Sequence, residues 1–223
     1  LAIACTIALV LGLWKVNNQP VNMELGQTDN FWPIANNLLD GKGYSLCYPF
    51  YFPFCTNGEA TPTAMREPVP VLLFAASAAV SGRSLLFTMH VQVLLIVGTV
   101  LLTFLFVRGI SGKRAAALAA LAWAAYLPVS GLLNQLSADI TGTFFLLLSA
   151  CLLLKAQEKN TLGSWMLAGA SIGVAALSRS ALLLMALPWC YAAFRSAGGF
   201  AKWRTAWLPP LVLGCSMLLV MSP

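Results

Sequence analysis

Charged side chains are scarce in this sequence. Lys and Arg number 13 and Asp and Glu number 7, which is 9% of the 223 residues, whereas hydrophobic residues make up 59%. A soluble domain could not cover so much apolar surface with so little charge, so the composition predicts an integral membrane protein. No basic run is dense enough for a nucleic-acid patch, and a net charge of +6 is compatible with basic residues on one membrane side. We expect membrane lipids, and no nucleic acid, as partners.

Several catalytic signatures are also missing from the sequence. It contains no phosphate-binding glycine loop, no nucleophile elbow and no metal-binding helix motif. The only histidine, His90, lies in an apolar run, where core packing or a hydrogen bond between helices is the simplest interpretation. We therefore predict no metal ligand and no cofactor, although a divalent metal stays compatible with the sequence.

Apolar runs cover most of the chain. The first spans residues 1–14, and the later ones span residues 84–107, 115–132, 136–154, 162–177, 181–194 and 206–220. A membrane-spanning helix takes about 20 residues, so the pattern predicts an all-α polytopic transmembrane bundle with about seven crossings. We treat residues 1–223 as one transmembrane domain. Because the chain starts without methionine and stops directly after an apolar run, we expect it to be the N-terminal part of a longer protein.

Residues 15–83 are predicted to form a large first loop with short interfacial helices. Phe31, Ile34, Ala35, Leu38 and Leu39 recur at helical spacing. Within the same segment, Asp29 is a plausible N-cap and Gly41 a plausible C-terminal cap. This helix is too short to cross, and so is the apolar run after Glu67, so both are expected to lie at the membrane interface or to re-enter it.

Charge sets the predicted orientation. With the first loop outside, the inner connections hold eight of the thirteen basic residues, as the positive-inside rule requires. Five of the seven carboxylates lie between Glu24 and Glu67, so an acidic outer pocket is expected. The loop is compact and contains no glycosylation sequon, which favours a bacterial inner membrane with an extracytoplasmic active site.

Three carboxylates are candidate catalytic residues. Asp139 lies near the outer end of the fourth crossing, where a carboxylate is costly unless it faces a polar cavity or caps the helix. Asp29 either caps a short helix or acts as general base toward a hydroxyl or amine acceptor. Glu24 is the substitute for that second role.

Two arginines are candidate phosphate ligands. Arg179 lies between two apolar runs, where it either reaches the headgroups or binds a lipid phosphate. Arg66 stands beside Glu67 and Pro68, either in a local ion pair at a helix entrance or facing a phosphate at the membrane surface. Glu67 is therefore grouped with the two arginines as a candidate substrate-binding residue.

Cys47 and Cys55 flank an aromatic, proline-rich stretch of the loop. If the loop is outside, these two cysteines can close a small disulfide ring and restrain it. Zinc binding is less favoured, because no second cysteine pair or nearby histidine completes a site. The remaining cysteines lie in membrane runs, where they are expected to pack as small apolar residues.

Four groups of residues recur in the order found in a known superfamily. The first joins Asp29, Phe31, Ala35, Leu38 and Leu39 to Gly41, Gly43 and Tyr44; the others are Arg66 with Pro68 and Pro70, Ser137 with Asp139, and Gly169 and Gly173 with Leu177 and Arg179. On these residues the chain resembles the C-type membrane glycosyltransferases. These include protein mannosyltransferases that use dolichyl-phosphate-mannose and bacterial transferases that put aminoarabinose on lipid A.

The resemblance implies an enzyme whose donor is a sugar linked to a polyprenyl phosphate. It implies an inverting transfer in which Asp29 inherits the role of base, although the short spacing from acid to aromatic leaves Glu24 open. Asp139 would help to place donor or acceptor, Arg66 and Arg179 would bind the lipid phosphate, and Tyr44 joins Glu67 as a candidate substrate-binding residue. The sugar and the acceptor stay open.

Two other classes of function are compatible with the sequence. In a transporter or flippase, Asp139 and Arg179 would line a pathway, but no clear internal repeat with paired half-helices is present. A non-catalytic membrane assembly protein would tolerate the loss of Asp29 and Asp139. Activity measurements on variants of these carboxylates distinguish the three classes.

Overall fold

The computed structural model describes residues 1–18, 30–47, 60–126, 132–202 and 206–222. Helices dominate these ranges, as predicted for an all-α protein. The α-helices are α1 (Ala2–Asn18), α2 (Phe31–Leu39), α3 (Pro68–Ser81), α4 (Leu85–Ala124), α5 (Ala138–Lys159), α6 (Leu162–Ser178), α7 (Ala186–Ser196) and α8 (Leu208–Met221). Three 3₁₀ segments cover Leu132–Asn134, Ser180–Met185 and Gly199–Lys202.

Helix α2 is the first short helix of the loop, and its C-terminal cap is the predicted one. Gly41 has a φ of 75°, the N–H of Gly41 donates to Leu38 O, and the N–H of Lys42 donates to Asn37 O at 2.9 Å, which together form a Schellman motif. The predicted N-cap is wrong by one residue. Asn30 occupies the N-cap position with a φ of 61°, a conformation that asparagine tolerates, and Asp29 lies outside the described residues.

The second short helix, α3, begins where prolines are tolerated. Glu67 is its N-cap residue, and Pro68 stands at the first helical position, where the missing N–H costs nothing. The helix packs against α2, with the Phe31 and Phe74 rings edge to face at 5.8 Å. After α3, Arg83 forms an ion pair with Asp40 at the end of α2. The hydrogen bond from Arg83 lowers the pKa of the Asp40 carboxyl below its ordinary value.

A small antiparallel pair closes the loop between the two short helices. Strand β1 (Ser45–Leu46) pairs with β2 (Thr61–Pro62), so that Ser45 faces Pro62 and Leu46 faces Thr61. The N–H of Thr63 donates to Tyr44 O at 3.0 Å and extends the pairing by one bond. Cys47 follows β1 directly and is disulfide-bonded, whereas its predicted partner, Cys55, lies outside the described residues.

Helix α4 folds back on itself at Gly112. This glycine has φ 82° and ψ 177°, which no α-helix allows, and it separates two helical parts. The Gln92 amide donates to Gln135 O at 3.0 Å. A straight helix would carry residue 124 about 48 Å from residue 92, but the chain from 124 to 135 reaches at most about 40 Å. The bend at Gly112 shortens the distance from residue 92 to residue 124, so that the following chain can reach Gln92. The bend lies between the predicted runs 84–107 and 115–132.

Contacts between the long helices define two ends of the bundle. The first part of α4 runs parallel to α5, since Gly98 meets Phe144 and Gly109 meets Leu154. Helix α6 runs antiparallel to α5, with Gly142 against Arg179, and parallel to α8. We call the end with the first residues of α5 and the last residues of α6 the cleft end. The opposite end, which carries Arg108, Lys155, Lys159 and Arg195, is called the basic end.

Close approach of α6 and α8 depends on two glycines. A Cβ on Gly173 would lie 2.9 Å from Met217 O, and one on Gly169 would overlap the Leu213 carbonyl group and the Ser216 hydroxyl. Gly169 and Gly173 therefore form a small face that permits close packing of the two helices. They lie beside the second of two hydrophobic cores, formed by α5 to α8, whereas the first core is formed by α1 to α4 and the start of α5.

Two helices in the described part of the chain are long and apolar enough to cross a membrane, namely α4 and α5. Helices α1, α3, α6 and α8 are apolar but shorter, with 14 to 17 residues. The fold therefore agrees with an all-α membrane protein, while the number of seven crossings stays a prediction.

Two of the predicted crossings are less regular than the apolar runs indicated. The run 115–132 is helical only to Ala124, and residues 127–131 lie outside the described ranges. The run 181–194 opens with the 3₁₀ segment Ser180–Met185. Pro188 accounts for that start, because its ring clashes with a helical carbonyl four residues earlier and excludes a longer α-helix.

Candidate active site

The cleft end gathers polar residues from distant parts of the chain. Helix α5 begins there with Asp139 in its first turn, and α6 ends there at Arg179. Helix α3 starts at this end with Glu67 and also finishes at it, since Arg83 leads straight into the start of α4. Helix α3 therefore does not run the length of the bundle, and its place at the membrane interface stays a prediction.

Asp139 forms an ion pair with Arg179. The pair joins the first turn of α5 to the end of α6, and each side chain is a little under half exposed, at 41% and 46%. Gly142 makes this approach possible, because a Cβ there would lie 3.3 Å from the Cβ of Arg179. At such exposure the ion pair stabilises the fold by at most about 1 kcal/mol. Its main effect is therefore to position two charged groups at the surface, not to stabilise the core.

Ser137, not Asp139, caps helix α5. Its hydroxyl accepts from the N–H of Asp139 at 3.1 Å, so the interpretation of Asp139 as the cap is wrong. The carboxylate of Asp139 is therefore not used in capping. It lies in the first turn, where the helix dipole favours negative charge.

Gln92 is a residue of the site that the sequence did not reveal. It is fully buried on α4, and its amide donates to Gln135 O at 3.0 Å while its carbonyl oxygen accepts from the N–H of Ser137 at 2.9 Å. Both partners are backbone groups just before Asp139. Gln92 thus fixes the segment that places Asp139, and only its polar character inside an apolar run could have drawn attention to it.

The segment Ala64–Pro68 brings Arg66 and Glu67 to the same end. The Arg66 guanidinium lies 5.2 Å from the centre of the Phe31 ring on α2, a cation–π contact. The hydroxyl of Tyr44 donates to Arg66 O at 2.8 Å. Burial raises the pKa of Tyr44 to about 12, and the nearby Glu67 carboxylate adds to the rise. The Asn30 amide also donates to Met65 Sδ at 3.5 Å, which attaches the segment Ala64–Pro68 to the start of α2.

A cleft of about 350 Å³ lies between this segment and the end of α6. Its polar lining comes from Arg66, Glu67 and Ser180. Its apolar lining is made by residues from the loop, from α6 and the segment after it, and from the end of α8: Ala64, Met65, Pro68, Ala176, Leu177, Leu183 and Met221. Leu177 and Ser180 stand on either side of the Ser178–Arg179 pair in sequence, so the ion pair with Asp139 lies next to the cleft.

The structure therefore brings five predicted site residues to one end. Asp139 contacts Arg179, Tyr44 contacts Arg66, and Glu67 shares the cleft with Arg66. The two candidate bases, Asp29 and Glu24, lie outside the described residues. Within the described ranges, no group of three or more His, Cys, Asp or Glu side chains is arranged to bind a metal.

The helical bundle and its two long apolar helices agree with an all-α membrane protein, and the charged cleft lies at one end of it. Residues 62–223 match the family described as dolichyl-phosphate-mannose-protein mannosyltransferase. The chain belongs to this family, and hence to the membrane glycosyltransferases. No curated protein and no solved structure matches the chain.

Proposed function

We propose that this protein transfers a sugar from a polyprenyl-phosphate carrier to an acceptor on the extracytoplasmic face of a bacterial inner membrane. The observation that carries the proposal is the cleft, in which Arg66 and Glu67 of the first loop meet the end of α6. The matched region of the family, residues 62–223, contains every residue of its lining.

The lining of the cleft suits a lipid phosphate. Arg66 supplies a guanidinium, whose forked donors fit phosphate oxygens, and Arg179 lies one residue from the lining residue Ser180. Leu183 and Met221 supply an apolar wall on which a polyprenyl tail could lie. A site with cations at one side and apolar side chains at the other matches a donor that is itself half phosphate and half hydrocarbon.

The proposed reaction is a single displacement at the anomeric carbon. A carboxylate accepts the proton of the acceptor hydroxyl or amine while its oxygen or nitrogen attacks the sugar. The bond from the sugar to the phosphate oxygen breaks, and its electron pair leaves with the polyprenyl phosphate. Arg66 and Arg179 stabilise the negative charge that gathers on the leaving phosphate. The configuration at the anomeric carbon is inverted.

Asp29 is the proposed base, with Glu24 as the substitute. Both residues belong to the first loop. Asn30, which follows Asp29 directly in sequence, is hydrogen-bonded to Met65, the residue before Arg66. Asp139 is assigned to the placement of donor or acceptor through its ion pair with Arg179. A phosphate that binds Arg179 competes with this pair, so donor binding is expected to change the surroundings of Asp139.

The test measures the consumption of radiolabelled polyprenyl-phosphate mannose by membranes that contain the protein. Label is followed into protein, lipid and glycan fractions, which also identifies the acceptor class. Asp29→Asn is expected to lower the rate by about 100-fold or more, as removal of a general base does, with Glu24→Gln as the alternative. Asp40→Asn is the matched control, because this carboxylate pairs with Arg83 and neither residue lines the cleft.

Full activity in Asp29→Asn, Glu24→Gln and Asp139→Asn would overturn the proposal. A transporter or flippase would then be indicated by movement of intact lipid-linked sugar across the membrane. An assembly role would be indicated if neither sugar transfer nor movement of the lipid-linked sugar changed in any of the three variants.

A further inference from the structure

A second cavity lies at the basic end, between the first part of α4 and α5. Its volume is about 470 Å³, within the range of sites that take small ligands. The two helices meet beside it, where Cys151 Sγ lies 3.5 Å from Leu102 O and a Cβ on Gly109 would lie 3.1 Å from Leu154. We call it the basic groove; its lining is Leu102, Leu105, Arg108, Gly109, Leu148, Cys151, Leu152, Leu154, Lys155 and Glu158.

Three charged side chains stand at the groove, and their net charge is +1. Arg108, Lys155 and Glu158 are all exposed. Among the described residues, no ion pair is formed between Glu158 and either cation. The two cations therefore face the groove without a carboxylate that neutralises them directly, and an anion could bind between them.

On both helices, the apolar lining residues come first in sequence and the cation follows them. On α4, Leu102 and Leu105 precede Arg108, and on α5, Leu148 precedes Lys155. Because the two helices run parallel, each cation lies about 9 to 11 Å closer to the basic end than the most distant lining leucine on its own helix. Leu105 is 44% exposed and so offers an apolar surface along the groove.

We propose that the basic groove binds an anionic phospholipid. Its phosphate lies between Arg108 and Lys155, and its acyl chains lie along Leu102, Leu105 and Leu148. Basic pockets between membrane helices recognise anionic headgroups in this way. The site lies at the opposite end of the bundle from the cleft, so it is separate from the donor site and its test is independent of the glycosyltransferase proposal.

The first test compares lipid binding by native mass spectrometry of the purified protein with phosphatidylglycerol and with phosphatidylcholine of the same chains. Removing both cations in the double variant R108Q/K155Q is expected to lower the affinity for phosphatidylglycerol by about 25-fold, or about fivefold per cation. The control is K113Q/K159Q, which removes the same charge from two exposed lysines outside the lining. It is expected to change the affinity by less than about threefold, since its charges act only through a screened solvent.

Two further measurements keep the result separate from misfolding and locate the lipid. Glu158→Gln removes the carboxylate that repels the phosphate and is expected to raise the affinity for phosphatidylglycerol, which an unfolded protein could not do. In Leu105→Trp, phosphatidylglycerol with brominated chains is expected to quench the added indole fluorescence.

Three results would overturn the proposal. One is an equal loss in R108Q/K155Q and K113Q/K159Q, which would indicate attraction by net charge alone. Another is equal binding of both lipids by the unmodified protein. The third is no quenching at Leu105→Trp, which would show that a protein segment, not a lipid, covers the groove.

Discussion

The guanidinium of Arg179 is bound to the carboxylate of Asp139, and this pair links the C-cap residue of α6 to the first turn of α5. Replacing Arg179 by Ala is expected to lower the affinity for the polyprenyl-phosphate donor by about tenfold, because a charge-assisted contact to phosphate is lost. The free energy of unfolding should fall by no more than about 1 kcal/mol, since both side chains are nearly half exposed. Donor KM and the urea midpoint measure the two effects.

Arg179→Lys is the informative companion. Lysine keeps the charge but lacks the forked donors, so donor affinity should be intermediate between the original protein and Arg179→Ala. A large loss of stability with unchanged KM in either variant would show that the pair is structural and would remove Arg179 from the donor site.

Gln92 is expected to act as a positioning residue for Asp139. Its side chain satisfies Gln135 O and the N–H of Ser137 in a fully buried site. Gln92→Leu leaves both backbone groups unpaired, which should cost about 2 to 4 kcal/mol of unfolding free energy and lower kcat. Thermal unfolding in detergent and initial rates at saturating donor measure these effects.

The matched control is Gln157→Leu. Gln157 makes one long bond of 3.5 Å to Ala192 O, and the residue is only partly buried. Its replacement should change stability by less than about 1 kcal/mol. If Gln92→Leu loses stability but keeps kcat, then Asp139 does not depend on this anchor, and the positioning role fails.

Local secondary structure could be predicted from the sequence where a few neighbouring residues determine it. The spacing of Phe31, Ile34 and Leu38 predicted α2, and Gly41 predicted its end, because periodicity and a positive φ are properties of a few adjacent residues. The N-cap was misplaced by one residue because Asp and Asn both favour this position. The bond from Asn30 to Met65, 35 residues away, adds a tertiary contact that local preference does not include.

Long-range pairing was readable only in part. The sequence placed Asp139 near the outer end of the fourth crossing and Arg179 between two apolar runs, but it did not predict that they pair. The polar side chain of Gln92 in an apolar run was the only signal for it, and its partners were not predictable because they are backbone groups, which every residue possesses. The bend at Gly112 falls between the predicted runs 84–107 and 115–132, so the break was predictable, but nothing distinguished Gly112 from Gly109 as its position.

Tyr44 is expected to titrate late, with a pKa of about 12, because burial disfavours the phenolate. Its ordinary pKa is 10.0, so the folded protein binds this proton more tightly than the unfolded chain. The stabilisation is fully present below pH 10 and is lost as the pH rises through about 12. The tyrosinate absorbance difference between the original protein and Tyr44→Phe measures this one group among five tyrosines.

Tyr44→Phe also removes the hydrogen bond to Arg66 O. The expected cost is about 1 kcal/mol, together with a rise in donor KM if Arg66 shifts. The stability of this variant should then vary less with pH between 10 and 12 than that of the original protein. An unchanged difference spectrum that titrates near pH 10 would show that the tyrosine is exposed in solution and that the loop is not held in this way.

Gly169→Ala tests the close contact between α6 and α8. The added methyl group would overlap the carbonyl group of Leu213, which is backbone and cannot move aside without moving α8. We expect a loss of about 1 to 3 kcal/mol, as for other overpacked contacts, measured by thermal unfolding in detergent. Gly163→Ala on the same helix is the control, because nothing lies within 4 Å of its added methyl group.

The control also fixes the sign of the argument. Alanine is the better helix former by up to about 1 kcal/mol, so Gly163→Ala should be neutral or stabilising. Gly169→Ala gains the same helix propensity, and the overlap with α8 must outweigh this gain before any stability is lost. A measured loss therefore reports the contact with α8 and not the backbone of α6. If both variants stabilise the protein equally, the two helices are farther apart than the structure has them. In that case Met221, at the end of α8, would not line the cleft beside Arg66.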